Sequence, residues 1–230
     1  MRRLVVVTGG TKGIGAAVAR RFADAGDKVV ALGRADLDVT DEAAVSEVLG
    51  SLGDVAVLVN NAGVSASAPV HRTSLAVWRT QLEVNATGAF LCTRAVLPGM
   101  RARDRGRIVT VASTAAHLGA PYTAGYTASK HAAVGLMRTV AAEVAGSGVT
   151  ANAVCPTFVR TEMTARTVAR IAERTGKSEQ DSEASIAGLS PLGRLLEPEE
   201  VAFAVAFLAA PEAGAINGQT IVLDGGGIQA

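Results

Sequence analysis

One local pattern near the start limits what this chain can fold into. Residues 4–7, Leu-Val-Val-Val, form an unbroken apolar run that stops against Thr8-Gly9-Gly10-Thr11-Lys12-Gly13-Ile14-Gly15. A run without polar alternation describes a strand buried on both faces, as in a parallel sheet. Residues 14–25 follow as a helix, with Ile14, Val18 and Phe22 on one face and Gly26 past its end. A buried strand, a glycine-rich turn and a helix in that order open a right-handed crossover, so the rest of the chain must supply parallel partners.

Such partners recur. Residues 29–32, 55–59, 108–111, 150–154 and 220–223 read as strands. Helical patterning covers 74–103, where Pro98 and Gly99 predict a break, and also 125–145 and 198–209. The expected fold is α/β: a doubly wound, Rossmann-like parallel sheet with helices on both faces. No repeat or linker divides the 230 residues, so residues 1–230 read as a single domain. Between the second strand and the helical segment near Asp41 lies only Gly33-Arg34-Ala35-Asp36-Leu37-Asp38-Val39-Thr40. A crossover needs roughly a dozen residues. The helix after the second strand is therefore expected to be missing and the edge third strand vestigial or absent.

Composition supports this and removes several function classes. Apolar residues make up 49% of the chain but aromatics only 3%, so the core must be built from Val, Ala, Leu and Ile. The net charge of +1 is interspersed, which argues against a nucleic-acid partner. The basic stretch from Arg101 to Arg107 reads as a helix end and turn. Cys92 and Cys155 lack CxxC spacing, and His71, His117 and His131 are scattered, so no metal site is expected. Gly9 and Gly10 cut the apolar start too short for a signal peptide, and no apolar run reaches membrane length. The expected location is the cytoplasm, with no membrane partner.

The glycine loop has a chemical reading. A dinucleotide's pyrophosphate must approach backbone N–H groups at the positive end of a helix, which bare glycines permit. Gly9, Thr11, Lys12, Gly13, Ile14 and Gly15 are the candidate contacts. An acid at the end of the second strand would hold an NAD ribose, whereas a cation there would accommodate a 2′-phosphate. Arg34 stands at that point with Lys12 in the loop, favouring NADP(H) over NAD(H). Asp36 leaves the ribose alternative open.

Tyr126 and Lys130 are four residues apart in a helical stretch, which places them on one face. A free phenol has a pKa of about 10, too high for acid–base work near neutrality, and a neighbouring ammonium, together with the positive nicotinamide of the oxidised cofactor, is expected to lower it. Around this pair stand the glycine loop, Asn60-Asn61-Ala62-Gly63, Asn85, Ser113, Cys155-Pro156 with Thr161, Gly193-Arg194 and Asp224-Gly225-Gly226. In order and spacing, over nearly the whole chain, these features resemble the short-chain dehydrogenase/reductase family in its single-domain form, close to 3-oxoacyl-(acyl-carrier-protein) reductases.

The resemblance implies roles for named residues. Tyr126 would protonate a carbonyl oxygen as hydride arrives at carbon. Lys130 would bind the nicotinamide ribose and depress the Tyr126 pKa. Ser113 would hydrogen-bond the substrate oxygen, and Asn85 would bend its helix and hold a water in a proton relay. Asp38 and Val39 would meet adenine, while Asn61, Ala62 and Gly63 would wall the adenosine ribose. Val159 and Thr161 would meet the carboxamide, in a loop shaped by Pro156. The chain departs from the family pattern at Thr157, where glycine is usual, at Ala56, where an acid is usual, and in the missing helix.

Residues 162–190 read as two helical pieces interrupted at Thr175-Gly176-Lys177, a candidate substrate lid. Residues 65–69, residues 117–122 and Met163 would set specificity, and their small, apolar character suits an acyl chain or a cyclic ketone. The leading expectation is an NADPH-dependent reductase of 3-oxoacyl thioesters or polyketide-type ketones, with a small-molecule carbonyl or alcohol as partner. The alternatives are an NAD-dependent alcohol or dihydrodiol dehydrogenase and a non-catalytic dinucleotide-binding redox sensor. The resemblance also implies a homotetramer.

Overall fold

The structure, a computed structural model, describes residues 2–229. Six strands form one parallel sheet in the order β2-β1-β3-β4-β5-β6. They are β1 (Leu4–Thr8), β2 (Lys28–Leu32), β3 (Val55–Asn60), β4 (Gly106–Val111), β5 (Val149–Pro156) and β6 (Thr220–Leu223). Val5, Val6 and Val7 are fully buried and alternate between the two faces. Val5 and Val7 pack with α1 (Gly13–Asp24) and α8 (Pro198–Leu208), and Val6 packs with α2 (Glu42–Ser51), α4 (Gly88–Ala102) and α5 (Ala124–Glu143). Burying each such side chain is worth about 1.5–3 kcal/mol, which is why the run carries no polar residue.

Among the described residues the sheet ends at β2, as the short connection requires. Gly33 starts a turn in which its carbonyl accepts from the N–H groups of Asp36 and Leu37, and the Asp36 carboxylate takes the Gly33 N–H at 2.8 Å. Leu37 and Val39 are buried, and the chain enters α2 behind an Asp41 cap. The eliminated helix and strand are thus replaced by two apolar pins.

One sequence expectation fails. Pro98 and Gly99 do not break the helix, because α4 runs through both of them. Leu91, Cys92, Val96 and Met100 lie on both sides of Pro98 in the core, and that packing outweighs one lost backbone hydrogen bond. The irregularity lies earlier. Between α3 (Leu75–Leu82) and α4 the chain widens into a π-turn over Glu83–Thr87, centred on Asn85. Beyond β5, α6 (Glu162–Thr175) and α7 (Glu179–Ala187) flank Gly176, whose φ of 71° ends α6.

The order of strands reverses at β1, and the loops after β1 and β3 therefore open at one end of the sheet. Gly88 is buried where α4 meets the shortened connection, and a Cβ there would lie 2.6 Å from Val39 Cγ2. Gly88→Val should cost about 1–3 kcal/mol through overpacking, read as a lower urea midpoint; an unchanged midpoint would show that this contact does not pin the connection.

Candidate active site

A cleft of about 620 Å³ lies at the carboxyl ends of the strands. Its floor starts at the glycine loop. Gly9 and Gly13 have φ values of 61° and 49°, and a Cβ on Gly9 would sit 3.0 Å from Ala62 Cα. A Cβ on Gly15 would collide with the Gly9 carbonyl. No side chain caps the first turn of α1, so its N-terminal dipole is aimed into the cleft without a built-in partner. This bare cradle fits a dinucleotide pyrophosphate.

The loop is held by the turn after β3. The Thr8 hydroxyl accepts from the N–H groups of Asn61 and Ala62, both at 3.1 Å. In return Asn61 Nδ2 donates to the carbonyls of Thr8 and Gly9, both at 3.0 Å. Asn61 therefore sets the shape of the cradle, a stronger role than lining its wall.

The reacting end is built from β4, α5 and the π-turn. Lys130, only 6% exposed, donates from Nζ to the Val111 carbonyl at 2.9 Å. Gly63 lets Asn85 come close beside it, since a Cβ there would lie 3.2 Å from Asn85 Oδ1. The Asn85 side chain clamps Val64, accepting from its N–H at 2.8 Å and donating to its carbonyl at 2.9 Å, and also donates to Ser129 Oγ. The π-turn explains how an Asn can sit in a helix: it turns this side chain onto the neighbouring loop. Ser113 and Tyr126 line the same cleft, and the Ser113 hydroxyl acts on the Tyr126 phenol.

Burial dominates the electrostatics of the protein without cofactor. In the protein alone the Tyr126 phenol lies above its ordinary pKa because burial opposes the phenolate, and the Ser113 hydrogen bond offsets this only in part. Lys130 does not dominate it. The ammonium is itself desolvated, which lowers its pKa to about 8. It sits 5.7 Å from the centre of the tyrosine ring and donates to a carbonyl.

Other sequence-selected residues fall into two groups. Gly9, Lys12, Gly13, Ile14, Asn61, Ala62, Gly63, Pro156, Val159 and Thr161 line the cleft with the tyrosine and lysine. Thr161 caps α6, and its side chain packs over Gly13. Thr157 needs no left-handed backbone, so replacing the usual glycine adds no strain. Thr11, Arg34, Asp38 and Val39 lie outside the cleft, on the side left open by the missing helix. Arg34 is 87% exposed, 3.6 Å from the Asp38 carboxylate. Asp38 accepts from the N–H and hydroxyl of Thr40, and Val39 is buried.

Sequence reading missed several lining residues. Phe158, Arg166, Thr167, Arg170 and Ile228 also face the cleft. Gln81, fully buried, takes the Ala66 N–H at 3.0 Å and so fixes the wall opposite α6. The three- and four-residue spacing from Met163 to Arg170 was the available signal for the α6 group.

Comparison with known proteins agrees with this geometry. Residues 34–227 match the family described as enoyl-(acyl carrier protein) reductase and residues 3–41 match short chain dehydrogenase. The chain belongs to the short-chain dehydrogenase/reductase family. The two matches meet in the shortened connection. The chain is 34% identical over 246 positions to 3-oxoacyl-(acyl-carrier-protein) reductase FabG of Vibrio cholerae serotype O1, covering 97% of this chain and 96% of that one. It is 37% identical to an acetoacetyl-CoA reductase of Shinella zoogloeoides, covering 98% of each. A solved actinorhodin polyketide ketoreductase with NADPH superposes with a TM-score of 0.90 at 32% identity, covering 98% of this chain and 97% of that chain. This chain is accordingly an NAD(P)-dependent oxidoreductase of CH–OH and C=O groups, and the ketoacyl-reductase relatives support a carbonyl reductase. No described helix is long and apolar enough to cross a membrane.

The desolvated lysine gives a test of this geometry. Between pH 8 and 10.5 the unfolded chain still binds the Lys130 proton while the folded protein has released it, so stability rises with pH across that window. Relative to Lys130→Met, the wild type should gain about 3 kcal/mol from neutral pH to the top of that range, measured by urea unfolding. Parallel pH profiles for the two proteins would place the ammonium in water.

Proposed function

We propose that this short-chain reductase is an NADPH-dependent ketoreductase of 3-oxoacyl thioesters or polyketide-type ketones, with Tyr126 as general acid. The observation that carries the reading is the convergence of Tyr126, Ser113 and Lys130 on one cleft with the bare glycine cradle. The ketoacyl-reductase names of its relatives support the substrate class.

When bound, the reduced nicotinamide supplies hydride to the carbonyl carbon. Ser113 and Tyr126 direct their hydroxyls at the carbonyl oxygen, orient it and stabilise the charge that develops there. Tyr126 then gives its proton to that oxygen, which a phenol kept neutral by burial is ready to do. Lys130 stands beside the resulting phenolate, favours it, and binds the nicotinamide ribose. Asn85 holds the Val64 backbone and Ser129, keeping the lysine end of the cleft in register, and its π-turn is the place for the water of the proton relay. Gly9, Thr11, Lys12, Gly13, Ile14 and Gly15 receive the pyrophosphate side, with Asp38, Val39, Asn61, Ala62 and Gly63 on the adenosine side and Pro156, Val159 and Thr161 at the carboxamide.

Arg34 is the 2′-phosphate ligand in this reading, with Lys12 as its helper. Its exposure and loose pairing with Asp38 leave it free to turn toward a phosphate. The same Asp38 favours the second reading, an NAD-dependent alcohol dehydrogenase, because a carboxylate here would repel that phosphate. Residues 162–190 act as the lid, and the exposed Phe203 and Phe207 on α8 suit burial in a homotetramer.

Tyr126→Phe should lower kcat about 10²- to 10⁴-fold and leave NADPH affinity unchanged, measured by turnover and fluorescence titration; near-normal turnover would remove the acid from this residue. Arg34→Ala should weaken NADPH by about tenfold or more while sparing NADH. Equal weakening of both cofactors would defeat the phosphate assignment and favour the dehydrogenase.

A further inference from the structure

The ceiling of the cleft carries charge that proton transfer does not use. Met163, Arg166, Thr167 and Arg170 face the cleft from one side of α6. Arg170 is half-buried and reaches the opposite wall, where Nη1 donates to Ser67 Oγ at 3.3 Å. A neutral hydroxyl satisfies one of the five donors of a guanidinium and none of its charge.

Nearby arginines are differently placed. Arg160 is held by Glu183 and Glu197, and Arg194 by Glu200. Arg170 makes no ion pair among the described residues. The carboxylates that line the cleft are already engaged. Glu162 lies between Lys12 at 3.3 Å and Arg166 at 3.8 Å. Asp224 accepts from the N–H groups of Gly226, Gly227 and Ile228. A guanidinium that faces the cleft with no acid beside it keeps its charge and its remaining donors available to an anionic ligand.

We infer that Arg170, with Arg166 one turn away and held by Glu162 only at 3.8 Å, forms an anion subsite that binds a carboxylate or phosphate carried by the ketone substrate. This rests on the carbonyl-reductase reading and adds a property to it: the substrate is charged at the end remote from its carbonyl. Phe158, Met163 and Leu118 line the same cleft and cover the apolar middle of such a molecule. A substrate oxygen replaces the Ser67 hydroxyl as acceptor, and the forked guanidinium suits two such oxygens at once. The small, apolar lining expected from sequence therefore describes only part of the cleft.

Two matched pairs of ketones test this with saturating NADPH. One pair is a keto acid and its methyl ester. The other is a 3-oxoacyl thioester on a phosphorylated pantetheine arm and the same acyl group on N-acetylcysteamine. The wild type should prefer the charged member of at least one pair by about 10- to 100-fold in kcat/KM, chiefly through KM. The pair that shows it distinguishes carboxylate from phosphate as the source. Arg170→Gln should lower kcat/KM for the charged members far more than for the uncharged ones, so that the preference collapses, and Arg170→Lys should restore part of it. Equal turnover of charged and uncharged members, unaltered by Arg170→Gln, would overturn the subsite and leave the reductase standing. No turnover of any ketone would overturn the reductase reading and the subsite with it.

Discussion

The cleft depends on one ammonium group taken out of water. Lys130 is buried on α5 with a carbonyl of β4 as its hydrogen-bond acceptor, and desolvation brings its pKa down to about 8. The surrounding structure serves to hold it there. Gly63 admits Asn85, Asn85 fixes the adjoining Val64 backbone, and Ser129 ties Asn85 to the same helix as the lysine. A cation held this way destabilises the ligand-free fold at neutral pH. Its return comes at the phenol, where a poised positive charge acts in a medium that screens it poorly.

The second organising constraint is the shape of the glycine cradle. Thr8 and Asn61 lock the loops after β1 and β3 to each other through four hydrogen bonds. Pyrophosphate site and reacting end are thereby built on adjacent, rigid strands. The adenosine side has no comparable frame. The short connection packs Leu37 and Val39 into the core and leaves Arg34 and Asp38 in solvent. In the proposed reading cofactor discrimination falls to exposed side chains, and the chemistry to buried ones.

Much of this was legible in the sequence because it rests on local rules. Apolar runs without alternation marked the strands, and the length of 33–40 ruled out a further crossover, so the sheet edge at β2 was foreseeable. Spacing and resemblance single out Asn85, Ser113, Tyr126 and Lys130, and the last three line one cleft with Asn85 holding the adjoining Val64 backbone. What could not be read depended on tertiary context. Pro98 looks like a breaker, but core packing on both sides carries α4 through it. The sign of the Tyr126 shift depends on burial, which spacing does not report. Nothing in the sequence alone distinguishes Arg166 and Arg170 from other charges of α6; only the fold turns them to the cleft.

The most direct test of the account is the ionisation of Tyr126 with and without NADP+. Phenolate absorbance can be followed against Tyr126→Phe, since the chain has only 2 tyrosines. The phenol should titrate above its ordinary value in the protein alone and fall below it once NADP+ brings a second positive charge to the side of Lys130. An identical titration in both states would contradict the claim that lysine and nicotinamide act together on this hydroxyl.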